Sequence, residues 1–171
     1  TRAEELSAEI NEVNQRIDAL SKLSNLAMLL YSWFIKNGHA RNESDEEKVK
    51  EYLNAHLPDN AYLQTGFYEK LYLYQSLCWY AFIRQDFLMY YRYSKKWVDL
   101  FKNEPMMITV ETGHYIKGLH NLLTANFDLR NFKQFDKYLA RFERFTFSKP
   151  ANQHESHYPL RWSRHPFTRR N

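Results

Sequence analysis

A chain of 171 residues, 44% hydrophobic and 26% charged, can bury one substantial core and is too apolar to stay disordered. Its single cysteine, Cys78, excludes an internal disulfide framework and a multi-cysteine zinc site. No apolar run approaches the ~20 residues that span a bilayer, and the opening Thr-Arg-Ala-Glu-Glu-Leu carries no signal-peptide core, so the expected setting is cytoplasmic, with no membrane partner.

The net charge of +4 is unevenly placed. Residues 1–60 hold seven Lys and Arg against eleven Asp and Glu, residues 61–147 twelve against eight, and residues 148–171 five against one. A basic C-terminal half can attract acidic partners or nucleic acid, although interleaved signs in the middle region also suit an ordinary solvated surface. Only 4 Gly and 5 Pro occur beside 13 Tyr, 12 Phe and 4 Trp. Scarce turn residues mean long elements, and abundant aromatics suit thick helix-helix seams.

The first predicted element is one long helix from about Ala3 to Lys36, within a segment taken as 1–36, with a bend near Ser21–Ser24. Leu6, Ile10, Val13, Ile17 and Leu20 follow a 4, 3, 4, 3 spacing, the seam of a heptad repeat, and Ser24, Ala27, Tyr31 and Phe34 extend its register. The seam serves either self-association through the N-terminal heptads or packing on the chain's own domain. Asn37-Gly38 reads as the C-cap. A second helix is expected over 44–57, with Ser44 as N-cap, Glu47 closing a capping box and Pro58 beyond its end. The cluster Glu43, Asp45, Glu46 and Glu47 needs no catalytic explanation, because a helix start favours negative charge.

A second hairpin is expected over 67–103. Its first helix, Phe67 to Arg84, is apolar nearly all round and belongs at the centre of the domain. Its second carries Phe87, Tyr90, Tyr91, Ser94, Trp97, Val98 and Phe101, before Pro105. A third hairpin is expected over 107–147. It superposes on the second at an offset of 45 residues, Phe87 on Phe132, Tyr90 on Phe135, Trp97 on Phe142 and Leu77 on Leu122. Repeated helix pairs at a fixed period predict an all-α fold of stacked antiparallel hairpins over 1–147, a tetratricopeptide-like α-α superhelix with longer and thicker helices than the standard unit. Residues 148–171 lose the helical period and read as a basic tail rich in Pro and His.

The runs Trp33-Phe-Ile-Lys-Asn-Gly-His-Ala-Arg-Asn42, Phe67-Tyr-Glu-Lys-Leu-Tyr72, Lys96-Trp-Val-Asp-Leu-Phe101 and Lys117-Gly-Leu-His-Asn-Leu-Leu123 resemble a family of bacterial, tetratricopeptide-like helical proteins without assigned chemistry. The resemblance spans roughly residues 5 to 147. It implies an α-α superhelix with an unidentified partner and transfers no catalytic residue. After Phe147 the sequence departs from that family's pattern, where a further aromatic-rich hairpin is expected; a truncated array or a divergent tail accounts for the change.

No constellation spells a reaction. There is no Gly-rich phosphate loop and no nucleophile elbow, and His114 and His120 lie six apart, unlike an i, i+4 metal pair. His154, Glu155, His157 and His165 could chelate a metal adventitiously, but no held four-ligand framework accompanies them. Cys78, between Leu77 and Trp79, reads as an inert core thiol. The expectation is a non-enzymatic scaffold with no cofactor and no metal, binding a protein or peptide on a groove lined by first helices. Lys117, Asn121 and Thr124 share a face at spacings of 4 and 3; the 45-residue offset pairs them with Tyr72, Ser76 and Trp79, with Ser32 and Lys36 continuing the stripe. The alternative is a nucleic-acid-binding helical repeat, with aromatics stacking on bases and the basic C-terminal half holding phosphates.

Overall fold

The computed structural model describes residues 1–147, and among them seven α-helices and one 3-10 turn account for all the regular structure. The helices are α1 (Arg2–Asn37), α2 (Glu43–His56), α3 (Phe67–Arg84), α4 (Phe87–Asn103), α5 (Met107–Val110), α6 (Thr112–Asp128) and α7 (Phe132–Phe147), with the turn at Ala61–Leu63. The expected tail 148–171, with its histidine cluster, lies outside the described residues.

Each boundary has a local cause. α1 ends where Gly38 takes a φ of +75°, a conformation a Cβ disfavours, and the Gly38 N–H closes on Phe34 O at 2.7 Å. α2 starts one residue before the expected position. Asn42, not Ser44, is its N-cap, with Oδ1 accepting from the Asp45 N–H at 2.9 Å. Asp86 caps α4 in the same way, accepting from the Met89 N–H at 2.9 Å. The stretch expected as the start of the third hairpin's first helix is broken at Glu111, whose ψ of 46° separates the one-turn α5 from α6.

α3 is the central element, as its sequence suggests. One flank, with Leu71, Cys78 and Ala81, shares a core with Trp97, Val98 and Phe101 of α4 and Tyr115, Leu119 and Leu122 of α6. The other, with Leu73, Leu77, Tyr80 and Ile83, shares a second core with Leu23, Leu26 and Leu30 of α1 and Val49 and Leu53 of α2. α4 packs on both α3 and α6, and α7 on α6. The loop after α1 is tied to the end of α3: the Ala40 N–H donates to Ile83 O at 2.9 Å, and His39 Nδ1 lies 2.9 Å from Phe82 O.

The heptad register does not run the length of α1. The body-facing residues are Ala19, Leu23, Leu26, Ala27 and Leu30, whereas the extended seam would have used Leu20, Ser24, Ala27, Tyr31 and Phe34. The buried stripe is displaced by one residue, about 100° around the helix. Residues 2–18 are exposed along their whole length, Leu6, Ile10, Val13 and Ile17 by 50–59%. The helix continues unbroken through Ser21–Ser24, where Ser24 Oγ donates to Ser21 O at 3.0 Å.

Candidate functional site

α4 packs against both α3 and α6, and α3 and α6 themselves meet mainly through side chains. At the N-terminal end of this seam the Tyr68 hydroxyl donates to Glu111 Oε1 at 3.0 Å, and Glu111 Oε2 lies 2.9 Å from His114 Nδ1. One turn on, the Tyr72 ring meets the His114 ring edge-on, with centroids 6.0 Å apart. Beyond it opens a crevice lined by Gln75, Cys78, Trp79 and Phe82 of α3, Tyr90 and Trp97 of α4, and Lys117 and Asn121 of α6. Its free space, about 10 Å³, suits a single water molecule.

Four of the sequence-selected residues, Tyr72, Trp79, Lys117 and Asn121, therefore border one seam. Their exposure differs. Tyr72 and Lys117 are half-buried, Asn121 retains 9% of its surface and Trp79 only 7%. Trp79 sits among aromatic neighbours, 5.2 Å from Tyr31, 5.9 Å from Phe34 and 5.8 Å from Phe82, centroid to centroid. It is a core side chain with one edge at the crevice. Ser76 leaves the seam altogether: it is fully buried toward α1, its hydroxyl donating to Tyr72 O at 2.8 Å and lying 3.5 Å from Leu23 O. Thr124 is half-buried and its hydroxyl donates to His120 O at 3.1 Å. Ser32 and Lys36 are exposed on α1.

The crevice holds more polar capacity than the chain satisfies. Gln75 Oε1 and Trp97 Nε1, an acceptor and a donor, are both buried without a hydrogen-bond partner among the described residues. Lys117 forms no ion pair with a described carboxylate, and burial holds its ammonium below the usual lysine range. Burial pushes the Cys78 thiol up to about 12; its sulfur lies 3.6 Å from Ser94 Oγ. A thiol so placed is not a nucleophile at neutral pH. Gln75 escaped the sequence reading, because a glutamine inside an apolar helix carries no pattern; only its aim into the seam marks it.

α6 approaches Trp97 closely because residue 118 is glycine. A Cβ there would lie 2.9 Å from Trp97 Cδ1 and 3.0 Å from Nε1. Gly118, which the sequence reading passed over, thus lets α6 bring Lys117 and Asn121 into the same crevice lining as Trp97.

Comparison of the chain with protein-family models, with curated proteins and with solved structures returned no match. The class the structure defines is an all-helical protein, and among the described residues no helix is long and apolar enough to cross a membrane.

Proposed function

We propose that the chain is a non-enzymatic, tetratricopeptide-like interaction scaffold, as the resemblance implies, and that it binds an extended peptide along the α3–α6 seam. The observation that carries this reading is Lys117, half-buried in the crevice lining with no described acidic partner; the unbonded Gln75 Oε1 and Trp97 Nε1 of the same lining suit the single water the crevice has room for. Buried polar groups are normally satisfied, and a lysine whose charge is disfavoured by burial is relieved by an anion. The complementary group is an acidic side chain, with Asn121 and Tyr72 beside it to hold peptide backbone. Trp79 supplies the wall behind this contact rather than a protruding anchor.

The test is an array of extended peptides, acidic and amide versions side by side, probed with wild type and with Lys117→Gln and Lys117→Glu. Wild type should retain acidic peptides, Lys117→Gln should lose most of that preference, and Lys117→Glu should lose the peptides while keeping a cooperative melt. Equal retention by all three would overturn the reading. The nucleic-acid alternative is separated in the same material by a labelled oligonucleotide: binding through phosphates falls by about one logarithmic unit per neutralised phosphate for each decade of salt.

A further inference from the structure

The largest unpartnered feature is the N-terminal third of α1. Every large apolar side chain of residues 2–18 lies on a single stripe, Leu6, Ile10, Val13 and Ile17, and each of the four is at least 50% exposed. The body is not waiting for this stripe. The face of α1 that packs on α3 begins at Ala19 and is rotated about 100° from it. A narrow 4-3-4 stripe with no large apolar side chain beside it is the form of seam by which one helix meets another over several turns.

We propose that a second copy of this chain covers the stripe, the two helices pairing antiparallel with Leu6 opposite the second copy's Ile17 and Ile10 opposite its Val13. This pairing is two-fold symmetric, so the same contacts occur twice. Extended outward it sets Ala3 opposite Leu20, giving six layers over nearly three heptads. The overlap matches the arm: it brings each helix start to the point, near Ala19, where the other helix enters its own body.

Charge selects this register. In the heptad frame Glu9 and Arg16 both precede an inward isoleucine, Ile10 and Ile17, and so flank the seam on the same side. In the proposed register Glu9 of each copy faces Arg16 of the other, while the opposite flank sets Ser7 against Asn14, which are neutral. Sliding by one heptad in either direction brings Glu9 against Glu9 or Arg16 against Arg16. A parallel pair would set Glu9 against Asn14 and Arg16 against Ser21, with no discrimination. Antiparallel helices also oppose their dipoles favourably. Arg16 is available for this role. Its Nε lies 3.5 Å from Glu69 of its own chain, yet 61% of its side chain stays exposed.

Sedimentation equilibrium of the full chain at micromolar concentration tests the proposal. Wild type should dimerise. Ile10→Asp, at a position exposed in the monomer, should give a monomer with an unchanged circular dichroism spectrum. Glu9→Arg and Arg16→Glu should each weaken the dimer by about tenfold, because each replaces two opposite-charge pairs by two like-charge pairs. An equimolar mixture of the two variants should restore it. In the mixed dimer the introduced arginine meets the introduced glutamate, and the native Arg16 of one copy meets the native Glu9 of the other. Orientation is read by oxidative cross-linking: Leu6→Cys should couple to Ile17→Cys and not to itself. A wild-type monomer throughout the range, a dimer indifferent to Glu9→Arg, or self-coupling of Leu6→Cys would each overturn the proposal; Ile10→Asp keeps it testable should Arg16→Glu disturb the Glu69 contact.

Discussion

Gln85 and Arg130, 45 residues apart, both adopt the left-handed backbone conformation, with φ of 57° and 56°. The hydrogen bonds around them repeat at the same offset. The Gln85 N–H donates to Phe82 O at 3.1 Å and Arg130 to Phe127 O at 3.0 Å; the Asp86 N–H donates to Ala81 O at 3.0 Å and Asn131 to Asn126 O at 2.8 Å. The second pair is the 6→1 bond of a Schellman ending. The two helix-to-helix turns are therefore one local structure used twice.

This conformation costs a residue with a Cβ about 1 kcal/mol, and both side chains are exposed. Gln85→Gly and Arg130→Gly should each stabilise the chain by roughly 0.5–1 kcal/mol, net of the greater chain entropy of glycine. Gln85→Val should destabilise it. Urea denaturation with unchanged m-values checks the prediction; stabilisation by valine would be incompatible with the turn.

Trp97 and Phe142 share the repeat position but not the burial. Trp97 is fully buried between α3 and α6, whereas Phe142 is half-buried, because α7 packs on α6 and its outer side meets no described helix. Trp97→Ala should cost roughly 3–5 kcal/mol and Phe142→Ala distinctly less. Equal losses in chemical denaturation would mean that the offset alone sets burial.

Gly118→Ala would normally favour a helix by about 1 kcal/mol. Here the new methyl meets the fully buried Trp97 indole at 2.9 Å, and the free space beside it is no more than one water. Overpacking of this kind typically costs about 1–3 kcal/mol. A net loss of stability is expected, and Gly118→Ala combined with Trp97→Phe should recover part of it. A melting temperature above that of wild type for the single variant would contradict the packing.

Lys117 links stability to pH. Burial lowers its folded-state pKa below the usual 10.5, so the folded chain binds fewer protons than the unfolded one between those two values. Below its folded-state value the lysine is charged in both states and the burial penalty is fully present. The penalty fades as pH rises from the folded-state value toward 10.5. Lys117→Met should therefore raise the melting temperature near neutrality, with an advantage that shrinks at alkaline pH. A constant or growing advantage would place the lysine in solvent.

Much of the fold was legible in the chain. Helix spans follow from apolar spacing and from the stop residues Gly38, Pro58 and Pro105, and the starts of α6 and α7 fall 45 residues after those of α3 and α4. Caps were less legible, since Asn42 and Ser44 are both good N-caps and only the hydrogen bond to the Asp45 N–H distinguishes them. The seam residues Tyr72, Lys117 and Asn121 were also within reach, because spacing places side chains on a face and the repeat offset aligns two faces.

What lay beyond the sequence was which face meets which neighbour. Helical period specifies the angle between side chains on one helix; it leaves open how that helix is rotated against the next. α1 shows this most plainly. Leu6, Ile10, Val13 and Ile17 form one exposed stripe, yet the body engages a stripe one residue out of phase, because α3 presents Leu73, Leu77, Tyr80 and Ile83 to Leu23, Leu26 and Leu30. Toward the end of α1, Tyr31 and Phe34 nevertheless reach Trp79, and they make a tryptophan that spacing placed on a groove part of the core. Ser76, one turn earlier, follows it inward to the backbone of α1. Burial is a property of opposed surfaces, and only the tertiary structure brings the second surface into place.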